Sequence, residues 1–224
     1  DIFSALTISK TLPNNCGTVI VKHANPCGVS INKNHLTSYK LALECDPISA
    51  FGGVVSFNFK INKSLALELN SIFLEVVTAN GFDKEALKIL KKKKNLRLID
   101  SSNFKITDLV RFNSVSEYML TQSEDFKKFK IKDFKVVSKR KPSASQIKNL
   151  LFAFNVCRYV KSNAIVLASQ SATVGIGSGQ PSRLDSCQIA IDKMNKFHNI
   201  KEEVVAASDA FFPFVDGIEK LVQS

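Results

Sequence analysis

The chain has 224 residues, 45% of them hydrophobic, and a net charge of +11. That is enough apolar material for one large domain or two small ones, and it excludes global disorder. No run of 18 apolar residues occurs, so no membrane-spanning helix is expected.

The positive balance suits anionic partners: nucleic acid, a membrane surface, or phosphorylated and polyglutamylated small molecules. Basic residues concentrate at 84–97, with four consecutive lysines at 91–94, and at 127–141. Around the second segment Phe126, Phe129 and Phe134 are spaced for burial as well as for base stacking. Both segments read as solvated helical faces rather than a nucleic-acid surface. Five scattered cysteines without a CxxC pair point to reduced thiols in a cytoplasmic protein, used as small core residues. No signal peptide precedes Asp1. The first residue is not Met and the last ones lie within an amphipathic stretch, so a piece of a longer protein is expected.

In chain order, residues 19–22 read as a buried strand that runs into Lys22-His23 and then Ala24-Asn25-Pro26-Cys27-Gly28. An ammonium and an imidazole thus stand side by side at a strand's end, where scaffolds hold reactive groups. Adjacent strand residues face opposite ways, so the chain must turn at or just after His23 for both to reach one substrate. Pro26 and Gly28 are expected to supply that turn. Histidine moves protons near neutral pH, and lysine can serve as an acid or a charge clamp. The alternative is a surface lysine beside a structural histidine.

Residues 35–45 read as a helix stopped by Asp46-Pro47, and 54–59 as a strand. Asn62 can cap a helix running to about Phe73, followed by a short strand at 75–78 and a basic helix at 83–94. Residues 100–130 allow a short strand or an irregular crossing. Ser143 is an N-cap for a buried helix carrying Ile147, Leu150, Leu151, Phe154, Cys157 and Val160. Strands follow at 164–168 and 173–176. Pro181 is expected to open a helix to about Phe197, before a strand at 204–205 and a helix from Phe214. Both halves, 1–140 and 141–224, read as strands wrapped by helices, an α/β class, with no clear sequence repeat between them.

Gly175-Ile176-Gly177-Ser178-Gly179 is neither GxGxxG nor a P-loop. Its alternate glycines suit close backbone approach to a ligand or another chain. Arg183, in the first turn of the following helix, gives an anion site or a structural turn. Asn163 can read an amide or cap a helix. Asp209-Ala210-Phe211-Phe212-Pro213-Phe214-Val215-Asp216 offers aromatics to a flat heterocycle or to the core. A zinc deaminase needs H-x-E and P-C-x-x-C, but Asn25 and Ser30 stand where the Glu and second Cys would be. No metal set of that kind is expected.

Four segments in this order resemble one family: residues 21–28; Ser49-Ala50-Phe51-Gly52-Gly53; residues 161–165 running on to 175–183; and residues 208–214. They are similar to the formyltransferase part of the bifunctional purine-biosynthesis family that joins AICAR formyltransferase to IMP cyclohydrolase. (AICAR is 5-aminoimidazole-4-carboxamide ribonucleotide.) The resemblance runs from about Ile2 to Gln223. It implies two cytidine-deaminase-like subdomains of the AICAR formyltransferase type, the second incomplete at its C-terminus. It also implies formyl transfer from 10-formyltetrahydrofolate, a co-substrate rather than a tightly bound cofactor, to AICAR. His23 would be the base, and Lys22 would assist the oxyanion or the leaving nitrogen. Asn163, Gln180, Arg183, Phe51, Gly52, Phe211 and Asp216 would bind the substrates. Ser162 and Asp209 would hold a monovalent cation such as K+. A cytoplasmic homodimer is implied, with a cyclohydrolase domain ahead of this segment and further chain past Ser224. Val215 departs from the family, which carries Arg there. Other classes remain as alternatives: a basic nucleotide- or RNA-binding module, or a dimerising fragment without catalysis.

Overall fold

The computed structural model describes residues 1–106, 110–125, 127, 129–199 and 203–224. Its elements are α1 (Ile2–Thr11), β1 (Gly17–Lys22), β2 (Asn25–Ile31), α2 (His35–Cys45), β3 (Gly53–Phe57), α3 (Lys63–Leu69), β4 (Leu74–Ala79), α4 (Lys84–Leu90) and β5 (Arg97–Asp100). Then come β6 (Val110–Val115), β7 (Tyr118–Ser123), α5 (Ala144–Cys157), β8 (Ile165–Ser169), β9 (Ala172–Gly177), α6 (Arg183–Phe197), β10 (Val205–Ser208) and α7 (Asp216–Gln223). This is the α/β class expected.

Eight strands form one sheet in the order β10-β8-β9-β2-β1-β3-β4-β5. The order helix, antiparallel hairpin, helix, strand, helix occurs twice, from α1 to α3 and from α5 to α7. The sheet is correspondingly mirrored about the β2/β9 junction. That junction is short. Ser30 faces Ala172, the Val29 N–H donates to Thr173 Oγ1 at 2.9 Å, and the Ile31 N–H donates to Ser171 O at 2.9 Å.

Period-two alternation divides the core. Val19 and Val21 point to the face covered by α1 and α5, where Ile8, Phe152 and Val156 meet them. Ile20, between them, points to the face covered by α2, α3 and α4, with Tyr39, Leu65 and Leu90. The α6 helix covers β8 and β9 through Cys187, Ala190 and Met194. All five cysteines are buried and unpaired, and burial pushes the thiols of Cys27, Cys45 and Cys157 up to about 12.

Several expectations are corrected. Pro26 and Gly28 lie inside β2, not in a turn. The alternate glycines approach the chain's own helix: a Cβ on Gly177 would stand 1.9 Å from Ser186 O, and one on Gly175 would stand 2.1 Å from Ala190 O. Gly28 does the same in the first half, with a Cβ 1.8 Å from Ala42 O of α2. The third helix ends at Leu69 and the fourth at Leu90, leaving the four lysines outside. Pro181 precedes the N-cap, which is Ser182. The helix α1 and the strand β5 carry no expectation from sequence. Residues 110–123 form a separate, wholly exposed hairpin. Phe126 lies outside the described residues. Phe129 and Phe134 pack edge-on against Phe154 of α5, at 5.0 Å each, but Phe129 is only half-buried and Phe134 stays 43% exposed, so neither is a core residue.

Candidate active site

The first hairpin closes at His23 and Ala24, both in the left-handed region at φ 51° and 60°. Two such residues in succession make the tight turn that matches strand twist, at a cost for side chains other than glycine. Neighbours hold it. The Ala24 N–H donates to Asp1 Oδ1 at 2.5 Å, and Asn25 Nδ2 donates to His23 O at 3.3 Å. Asn25 Oδ1 accepts the Lys161 N–H at 2.9 Å, across 136 residues of sequence. The imidazole of His23 is thereby presented on an exposed tip.

Lys22, one residue earlier, is half-buried, and its Nζ donates to Phe51 O at 3.1 Å and Gly52 O at 2.9 Å. Gly52 has φ +67°, and a Cβ there would stand 3.0 Å from Lys22 Nζ. The backbone conformation therefore favours glycine there, and a side chain would also push on the Lys22 ammonium. Phe51 is 62% exposed and packs its ring on Phe73 at 5.3 Å.

The loop from Lys161 to Asn163 lies beside the hairpin tip. The Gly179 N–H donates to Lys161 O at 2.7 Å, and the Asn163 N–H donates to Gln180 O at 3.2 Å. The Asn163 side chain donates to Gln180 O at 2.8 Å and Pro181 O at 2.9 Å, and accepts from Arg183 Nη2 at 2.7 Å. Asn163 is not a helix cap, since α5 ends at Cys157 with Arg158 as its cap residue. The Ser162–Asn163 peptide is cis.

Arg183 turns inward, with Nη1 2.5 Å from Asp209 Oδ1 and 2.8 Å from Ser208 Oγ. Its side chain is 11% exposed and that of Asp209 is 17% exposed. Asp209 also accepts from the Ser162 hydroxyl and from the Ala164 N–H. Desolvation raises its carboxyl, but these hydrogen bonds and the guanidinium outweigh that and hold it below the ordinary 3.8.

These parts share one end of the sheet: the C-terminal ends of β1, β9 and β10, and the N-terminal ends of β2, β3 and β8. There the structure gathers Lys22, His23, Phe51, Gly52, Ser162, Asn163, Gln180, Arg183 and Asp209. Phe211, 80% exposed, and Asp216, which accepts the Gly217 N–H at 2.7 Å, form no hydrogen bond, ion pair or ring contact with Lys22 or His23 among the described residues. Phe212, by contrast, is core-packed against α6, and Arg183 lies over its ring. Of the lysine run, Lys93 is a structural tie, donating to Ile72 O at 2.6 Å. Asn25 and Asp46 also matter to this rim. Sequence reading placed the first in a turn and the second at a helix stop, because their partners lie far along the chain.

An exposed imidazole and an ammonium held by carbonyls, at strand ends of an α/β sheet, are groups with which acid–base chemistry can be done. The pattern of the AICARFT/IMPCHase bienzyme family matches residues 1–193. The chain is 44% identical over 219 residues to the bifunctional purine biosynthesis protein PurH of Aquifex aeolicus, covering 98% of this chain and 42% of that protein. The PurH of Persephonella marina is 43% identical over 222 residues, covering 98% and 42%. That of Rhodospirillum rubrum is 46% identical over 208 residues, covering 89% and 40%. The chain belongs to the AICARFT/IMPCHase bienzyme family, and it spans less than half the length of these relatives.

Proposed function

We propose that this chain carries the formyl-transfer half of purine (IMP) biosynthesis, moving a formyl group from 10-formyltetrahydrofolate to the amine of AICAR. One observation supports the reading most: four motifs, distant in sequence, are linked in a chain of hydrogen bonds along one end of the sheet, where Lys22 is anchored beside an exposed His23. The AICAR amine is a weak nucleophile, because its lone pair is delocalised into the ring and carboxamide. As it attacks the formyl carbon, His23 takes its proton. The carbonyl oxygen becomes an oxyanion, and Lys22, whose third N–H is not needed by the two carbonyls, stabilises it. The bond from the formyl carbon to the folate nitrogen then breaks, and that nitrogen takes up a proton from Lys22 or from the protonated His23, so that the proton removed from the amine leaves with tetrahydrofolate.

Asn163 orients the carboxamide or the formyl oxygen. Its amide is engaged by Gln180, Pro181 and Arg183, so binding would exchange one of these partners. Gln180 and Arg183 complete that side, Phe51, Gly52 and Phe211 line the heterocycles, and Asp216 holds a folate or substrate N–H. A monovalent cation such as K+ at Ser162 and Asp209 would share the carboxylate with Arg183, which already supplies a countercharge. No step of this reading depends on it. The twice-repeated element order supports two cytidine-deaminase-like subdomains, divided near residue 140. IMP cyclohydrolase activity belongs, in this reading, to another part of the full-length protein.

The test follows tetrahydrofolate release from 10-formyltetrahydrofolate in the full-length protein. Release should require AICAR, and His23→Ala should slow it by about 100-fold or more, the range lost with a general base. A folded full-length protein that releases none would end the reading.

A further inference from the structure

We propose that the ion pair between Asp46 and Lys193 is a positioning device for the Lys22 ammonium, and that α6 uses it to set both sides of the site together. The inference rests on the formyl-transfer reading for its kinetic consequence only.

Asp46 follows α2, and its side chain is only 4% exposed. One carboxylate oxygen accepts the Ser49 N–H at 2.9 Å. The other accepts the Ser49 hydroxyl at 2.6 Å and Lys193 Nζ at 2.5 Å. The segment after Asp46 is a tight turn. The Ala50 N–H returns to Asp46 O, the Phe51 N–H to Ile48 O and the Gly53 N–H to Ala50 O. The carbonyls that leave this turn, Phe51 O and Gly52 O, hold Lys22 Nζ. No carboxylate pairs with Lys22 among the described residues, so its ammonium is placed by these two carbonyls, which the turn holds on one side and the Gly52 N–H bond to Phe73 O, at 2.9 Å, on the other.

Lys193 comes from the other half of the sheet. Its helix begins at Arg183, which grips Asn163 and Asp209. Ten residues on, about 15 Å along the same helix, Lys193 grips Asp46. That helix is seated rigidly, because Gly175 and Gly177 bring β9 into backbone contact with it. One rod therefore fixes the Asn163 side at its first turn and the Lys22 side at its third. Without Lys193, a nearly buried carboxylate would keep only two neutral donors, and the turn would rearrange to hydrate it.

The experiment uses the full-length protein with Lys193→Met, Lys193→Arg and Lys22→Met. The position of Lys22 is read by competitive acetylation with trace acetic anhydride, scored by mass spectrometry against Lys91 and Lys92. Lys193→Met should speed labelling of Lys22 with or without substrate. It should lower kcat by about tenfold through misplacement, with a smaller change in the KM for AICAR. Lys193→Arg should restore most of the rate. In the Lys22→Met background, Lys193→Met should cost little more, since both act through one ammonium. Unchanged labelling of Lys22, or losses that simply add, would overturn the proposal. If Lys22→Met leaves transfer intact, the formyl-transfer reading fails, and the labelling result still decides whether Lys193 positions Lys22.

Discussion

Asp209 shows how one side chain can serve two descriptions. Its type and motif suit a cation ligand, whereas its contacts make it the anchor for Arg183 and the entrance to β8. Asp209→Asn keeps the shape and removes the charge, leaving a guanidinium 11% exposed without its counterion. Breaking such a pair costs about 3–5 kcal/mol when fully buried and much less in water. With this partial exposure about 1–3 kcal/mol is expected. The pH dependence follows from the depressed carboxyl. At neutral pH Asp209 is ionised in both folded and unfolded chains, and its contribution is fully present. As pH falls below 3.8 the unfolded chain takes up the proton first, and the contribution is lost as pH drops through the lower folded value. Urea midpoints of the parent and Asp209→Asn should therefore differ at pH 7 and draw together as pH falls below 3.8 through the lower folded value. A gap that persists at low pH would mean that packing, not charge, holds Arg183.

Among the elements, β2 teaches most. Pro26 and Gly28 carry turn chemistry, yet both sit in a strand. Pro26 is tolerated because β1 shifts register between Ile20 and Val21, the kind of bulge where a missing N–H does no harm. Gly28 is there because α2 leaves no room for a Cβ. Elements with local punctuation were legible: α2 begins and ends at the expected residues, and Ser143 caps α5 as its sequence suggests, with Gln146 completing the cap in the structure. Elements without it were not. In α1, five consecutive residues from Ala5 to Ser9 are buried, so no polar face marks its period. Residues of the site were legible as types and motifs, but the contacts between Asn25 and Lys161 and between Asp46 and Lys193 bridge the two halves and leave no local trace. The same glycine logic gives a test at this scale. Gly177→Ala would drive a methyl to 1.9 Å from Ser186 O, which backbone cannot yield cheaply. A loss of about 1–3 kcal/mol is expected from thermal or urea unfolding, with α6 displaced and formyl transfer reduced along with it. A protein with undiminished stability would show that α6 rides freely on the sheet, contrary to its role as a strut.

For the whole molecule, the hairpin of β6 and β7 is the part that does not stand alone. A two-stranded ribbon is marginal in water, and this one exposes apolar groups on both faces. Phe112 and Met119 lie on one face at 61% and 65% exposure, with Tyr118 and Leu120 on the other at 78% and 57%. Covered by a second copy, these residues would form the core of an isologous contact, which is the commonest way a soluble chain buries such a surface. The full-length protein is therefore expected to be a dimer by light scattering. Phe112→Glu combined with Leu120→Lys, which charges both faces, should halve its mass without lowering the unfolding midpoint of the main sheet. Activity then separates two arrangements. If the monomer still releases tetrahydrofolate, the rim from His23 to Asp209 is complete within one chain. If it is folded but inactive, the partner supplies part of the substrate pocket, which would explain why Phe211 and Phe214 stand at 80% and 73% exposure. A mass that does not change would place the partner surface elsewhere and leave the hairpin to be covered by the rest of the full-length chain.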